Sequence, residues 1–161
     1  MRFVPMPVRD ILWWLLWGAF CLWLQARLPG VDAFVPVILL SLQEKRWKTT
    51  VWLCIFCVCI HEGAGTLSFG TTVLWYGSLL GLYFVGRAFF VVDSLFFVAF
   101  FTLAAGALFM LVMLALPPLQ YVPVPLERLL GQSLMQMLLI PPCWGIARLT
   151  RRRFLPHETV V

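Results

Sequence analysis

The chain has 161 residues, is 62% hydrophobic and only 12% charged, and carries a net charge of +5. Soluble domains are about 45–50% apolar, so this composition leaves too little polar surface to cover a water-soluble core. The basic residues sit beside apolar runs, as in Lys45, Arg46 and Lys48 and again in Arg148, Arg151, Arg152 and Arg153, which suits topology-setting charge and argues against a nucleic-acid partner.

Stretches nearly free of charge approach the roughly 20 residues that cross a bilayer. They predict one all-α integral membrane domain over residues 1–161, a bundle of about six transmembrane helices with both termini cytoplasmic. The first span covers 11–27. Arg2 and Arg9 precede it as in a secretory signal, but Leu24 stands where cleavage needs a small residue, so a retained span is expected. Trp13, Trp14, Trp17 and Trp23 mark its two edges, where indoles favour the lipid–water boundary. Pro29 and Gly30 then turn the chain, and Asp32 is expected to cap the next helix. The second span, 33–43, has 11 residues and is short for a crossing, so neighbours are one way to cover it. After the basic loop "EKRWK" the third span covers 49–62 and ends in "HEGAG".

The fourth span covers 71–87, and Asp93 and Ser94 are cap candidates for the fifth, 94–116. The segment "PPLQYVPVPLER" carries Pro117, Pro118, Pro123 and Pro125 and cannot be regular helix. The sixth span, 129–147, is expected to be interrupted at Pro141 and Pro142, with a basic cytoplasmic tail over 148–161. Six spans with an inner N-terminus put ten Lys and Arg inside, and Arg27 and Arg128 outside. That bias follows the positive-inside rule, and it supports the short second span, without which "EKRWK" would fall outside.

Cys54, Cys57 and His61 lie on one helical face, with Cys59 between them. Thiolates and imidazole suit zinc, copper or an iron–sulfur cluster. The spacing matches no standard finger, and cysteine also packs as a small apolar residue, so helix packing is the expected use and no metal or other cofactor is predicted. His61 and Glu62 resemble an acid–base pair, but neighbours on a helix point about 100° apart and "HEGAG" lacks the second histidine of a zinc-protease motif. No catalytic residue is predicted. The glycines that follow fit a bend at the membrane edge, with Glu62 available for a structural or partner hydrogen bond. Gly77 and Gly81 form a G-x-x-x-G pair, expected first to pack helices within the chain and second to pair two copies. Gln132, Gln136 and Ser133 share one side of the sixth span, where buried amides need partners.

Two of these features carry a family resemblance. The piece Glu62–Gly70, "EGAGTLSFG", resembles the acidic residue, small-residue stretch and glycine that close the third span in the bacterial rod-shape-determining membrane protein MreD family. That family more often has Asp where this chain has Glu62. Gln136 and Pro141 stand at the spacing of its Asn and Pro in the last span, before a basic tail. The resemblance implies a non-enzymatic inner-membrane scaffold subunit of the cell-elongation and peptidoglycan-synthesis machinery. Its expected partners are an MreC-like protein and, indirectly, cytoskeletal MreB and the cell-wall synthases, together with the lipid bilayer itself. Glu62, Gly70, Gln136 and Pro141 carry over as packing or interaction positions, with Gly77 and Gly81 added from the helix pattern.

A rival expectation is the substrate-binding membrane subunit of a vitamin-type transporter, with His61, Glu62, Trp75, Tyr76 and the proline-rich loop around a pocket. Against it, the first span is bulky and lacks the small-xxx-small pattern those subunits present to their partner.

Overall fold

A helix that is apolar on every side has no face to give to water and must be enclosed by its neighbours. "VPVILLSL" is such a segment, and it lies at the centre of this protein. The computed structural model describes residues 8–28, 30–63, 70–115 and 125–154. These form six α-helices: α1 Val8–Arg27, α2 Val35–Gln43, α3 Trp47–Gly63, α4 Thr71–Phe89, α5 Leu95–Ala115 and α6 Leu126–Phe154. No strand occurs among the described residues. Two helices, α5 and α6, are long and apolar enough to cross a membrane.

Helix α2 has nine residues, roughly 13 Å of rise, and every residue from Val35 to Leu42 is buried. It packs on α3 and α6, while α4 joins α3 to α5 and α5 joins α6. The contacts close a ring from α2 through α3, α4, α5 and α6, with α1 seated against α6. The short second helix is thus covered by protein. Its C-terminus is closed by two backbone bonds, Arg46 N to Ser41 O and Lys45 N to Leu42 O, each 3.0 Å. This is the Schellman arrangement, and Lys45 takes the left-handed residue at φ 56°, where glycine is the usual choice. Tyr83 adds a 2.9 Å donation from its hydroxyl to Leu42 O.

Helix α6 differs from expectation at both ends. It begins at Leu126, so Leu126–Arg128 are helix and not loop; residues 117–124 of the proline-rich segment lie outside the described residues. It also runs unbroken through Pro141 and Pro142 and includes Arg148–Arg153, where a tail was expected. Both prolines are exposed, where their rings have room. Ile140, Cys143, Trp144 and Ala147 face the core and carry the helix onward.

Gly77 and Gly81 do not pack helices within the chain: a Cβ on either would meet no atom within 4 Å. The close crossing lies elsewhere. A Cβ on Gly106 of α5 would run into Met137 of α6, and Ser133 Oγ donates to Gly106 O at 2.7 Å. Ser94 does cap α5, its Oγ accepting from Phe97 N at 3.1 Å. Asp93 instead meets Arg148 at 3.4 Å on the surface.

Ion pairs gather the start of α1, the α2–α3 turn and the end of α6 at one end. Asp10 accepts from Arg46 at 2.6 Å and from Arg151 at 2.8 Å, and Arg151 also pairs with Glu44. Asp10 is fully buried and Arg151 is 3% exposed. The Arg151 guanidinium lies 4.8 Å from the ring centres of both Trp13 and Trp14. Trp13 and Trp14 are buried, so they serve this cluster and not a lipid boundary.

Candidate functional site

The opposite end is organised by the link between α1 and α2. Gly30 has φ 88°, a left-handed conformation that glycine adopts freely, and a Cβ there would run into Gln132 of α6. This turn carries Asp32 inward, to 5% exposure. Buried polar groups need hydrogen-bond partners, and Asp32 finds them in its own link and in two helices. Its Oδ1 accepts from Phe34 N at 2.9 Å and its Oδ2 from the Trp75 indole of α4 at 2.9 Å. Its peptide is held by Gln136 of α6, which accepts from Asp32 N at 2.8 Å and donates to Asp32 O at 2.9 Å.

Asp32 is therefore not the cap predicted for the second helix. The cap position is Phe34, which makes no side-chain cap bond, and Asp32 forms a local turn bond to it. Gln136 does bond another part of the chain, and its two bonds fix the α1–α2 link to α6. Both donors to the Asp32 carboxylate are uncharged.

The end of α3 carries two separate hydrogen-bonded contacts. Gln25 Nε2 of α1 lies 2.9 Å from His61 Nε2. Glu62 Oε1 accepts from Gly70 N at 3.0 Å. Gly70, at φ 88°, opens α4 without a side-chain cap, so the Glu62 carboxylate brings negative charge to that helix's N-terminus. His61 and Glu62 thus reach different partners. Residues 64–69, including Gly65, lie outside the described residues.

The cysteines all carry free thiols, with Cys57 buried, Cys54 half-buried and Cys59 exposed. Among the described residues, no three His, Cys, Asp or Glu side chains converge as a metal site.

Between these elements lies a cavity of about 570 Å³. Gln25, Asp32, His61, Thr72, Trp75 and Gln132 supply its polar lining. Of the residues expected around a pocket, His61 and Trp75 reach it, whereas Glu62 and Tyr76 are not among its lining. Tyr76 is buried in the core. Glu62, Gly70 and Gln136 fall in two hydrogen-bonded units at this end. Gly77, Gly81 and Pro141 are exposed and belong to neither.

Sequence reasoning missed Asp32 as a hub, Thr72 and Gln25 as lining, and the Asp10–Arg151 cluster. The usable signal was the chemistry of Asp32 and Gln136, two polar groups in apolar surroundings with complementary needs. No family model, curated protein or solved structure matches this chain.

Proposed function

We propose that the chain is a six-span membrane protein with both termini cytoplasmic, acting as a non-enzymatic scaffold of the cell-elongation machinery in the bacterial inner membrane. The observation that carries the membrane reading is an inverted polarity. Leu15, Trp52, Phe96, Leu103, Leu111 and Leu138 are each more than 60% exposed, while Asp10, Asp32, Ser133, Gln136 and Arg151 are buried and hydrogen-bonded. Lipid accepts such a surface and demands that polar groups be satisfied inside. Water would favour the reverse. The basic end, with Arg46, Arg148 and Arg151, is the end the positive-inside rule assigns to the cytoplasm.

The scaffold role rests on the resemblance to the MreD family. What supports it is that both resembling stretches are structural units. Glu62 bonds to Gly70, the two ends of one motif. Gln136, which heads the other, fixes the α1–α2 link. The partners proposed are an MreC-like membrane protein and, through it, MreB and the cell-wall synthases. The test is purification of the tagged chain from native membranes in mild detergent, with mass spectrometry of what accompanies it. Recovery of an MreC-like protein and wall-synthesis components is expected, with loss of that recovery in Glu62→Ala. Their absence from a folded, monodisperse preparation would refute the scaffold role.

The cavity favours a second reading, the substrate-binding subunit of a small-molecule transporter. Recovery of an ATP-driven transport module in the same purification would establish it in place of the first.

A further inference from the structure

We infer that the rim formed by Trp47, Lys48, Phe84 and Arg87 at the basic end of α3 and α4 binds an anionic phospholipid, its phosphate at the two cations and its acyl chains along the two helices. The inference rests on the membrane reading above and adds to it a lipid partner of stated charge.

The sign of the ligand follows from the charge at this end. Among the described residues, the basic end holds nine Lys and Arg and three acidic residues. Each of the three carboxylates is already met by an arginine, Asp10 and Glu44 by Arg46 and Asp93 by Arg148. The excess is carried by Arg9, Lys45, Lys48, Arg87, Arg152 and Arg153, all exposed. The opposite end sets Arg27 and Arg128 against Asp32, Glu62 and Glu127, so the excess belongs to one end. Such a surface attracts anions.

Topology accounts for basic residues on this side, but not for an aromatic pair among them. Trp47 opens α3, and Phe84 lies near the end of α4. Their rings stack at 5.5 Å with 5° between planes, and both are exposed. Arg87, one turn after Phe84, sets its guanidinium 5.8 Å from the Phe84 ring centre, which holds that charge beside the pair. Lys48 follows Trp47 directly. Tryptophan favours the lipid–water boundary, so the pair places both cations at the depth of headgroup phosphates. Beyond it the exposed faces are apolar, with Val51, Trp52 and Ile55 on α3 and Val73 and Leu74 on α4. An acidic protein segment or a free phosphate would meet the cations and leave the rings in water. A phospholipid meets both. The comparable contact of Arg148 over Trp144, at 5.0 Å, is already closed by Asp93.

The test uses the full chain in detergent micelles, titrated with dioleoylphosphatidylglycerol and, separately, with zwitterionic dioleoylphosphatidylcholine, with bound lipid counted by native mass spectrometry. Saturable retention of phosphatidylglycerol is expected, about fivefold or more tighter than phosphatidylcholine. Lys48→Gln and Arg87→Gln should each weaken it about fivefold. Phe84→Leu leaves the charge unchanged and should weaken it about threefold, because Arg87 loses the ring beneath it. Arg128→Gln removes an exposed charge at the opposite end and should leave the affinity as it is. All four side chains are exposed, and circular dichroism checks that each variant folds. Equal binding of the two lipids, wild-type affinity in both Lys48→Gln and Arg87→Gln, or equal losses in Arg128→Gln and Arg87→Gln would each overturn the inference. Tighter binding of poly-glutamate than of phosphatidylglycerol would overturn it in favour of an acidic protein segment. Failure of the membrane reading would show separately, as recovery of the chain in the soluble fraction without detergent, and the scaffold role is decided by co-purification.

Discussion

The two ends of the bundle bury a carboxylate by opposite means. At the basic end Asp10 is met by two guanidinium groups, Arg46 and Arg151, and Glu44 balances the second positive charge. At the other end Asp32 is met by an indole and a peptide N–H, and its own peptide is clasped by a neutral amide. The first arrangement is electrically closed and lies against packed tryptophans. The second is met by uncharged donors and lies on a cavity. Burial alone therefore does not say what a carboxylate is for; the charge and number of its donors do.

The comparison is broken most severely at the closed end. Arg151→Ala removes one of the two cations on a fully buried Asp10, and losing one partner of a buried pair costs about 3–5 kcal/mol. Because Arg46 remains, we expect about 3 kcal/mol, read as loss of unfolding free energy in a denaturant titration of the detergent-solubilised chain. Arg151→Lys should recover little, since an ammonium cannot span Asp10 and Glu44 as the planar guanidinium does. Recovery to wild type would show that charge alone, without the fork geometry, closes the cluster.

At the open end the effect is smaller. Gln136→Leu strands the peptide N–H and C=O of Asp32, which are held by two neutral bonds, and should cost about 2 kcal/mol in the same titration. A loss equal to that of Arg151→Ala would mean that the ends do not differ in kind. Next in size is Gly106→Val, which forces Met137 aside at the α5–α6 crossing and should cost about 1 kcal/mol. Gly81→Ala, with open space around it, should stay within about 0.5 kcal/mol. One change is expected to be a gain. Lys45→Gly relieves a left-handed residue at the α2 terminus and should stabilise by about 0.5–1 kcal/mol, raising the thermal midpoint.

The first five helices were legible because charge-free runs and the loops between them set the boundaries to within three residues. The sixth helix shows where local reading stops. Pro141 and Pro142 signal a break, yet exposed rings leave the helix intact once Ile140 and Trp144 anchor its other side. Arg151 looks like part of a solvated tail, because its partner Asp10 is 141 positions away. Glu62 and Gln136 were legible as polar groups needing partners, but not which ones. Asp32 was misread for the same reason. An aspartate before an apolar helix has the local signature of a cap, whereas its defining contacts, Trp75 and Gln136, are 43 and 104 positions distant.

The bond between Asp10 and Arg151 also sets a schedule for biogenesis. Synthesis proceeds at about 5–20 residues per second, so the guanidinium that completes the cluster follows Asp10 off the ribosome by on the order of ten seconds. Until then the first helix can hold its carboxylate only against Arg46 from the α2–α3 turn. A nascent chain cut short before Arg151 would retain Asp10 and Glu44 facing a single arginine, leaving buried negative charge in excess at the basic end of the bundle.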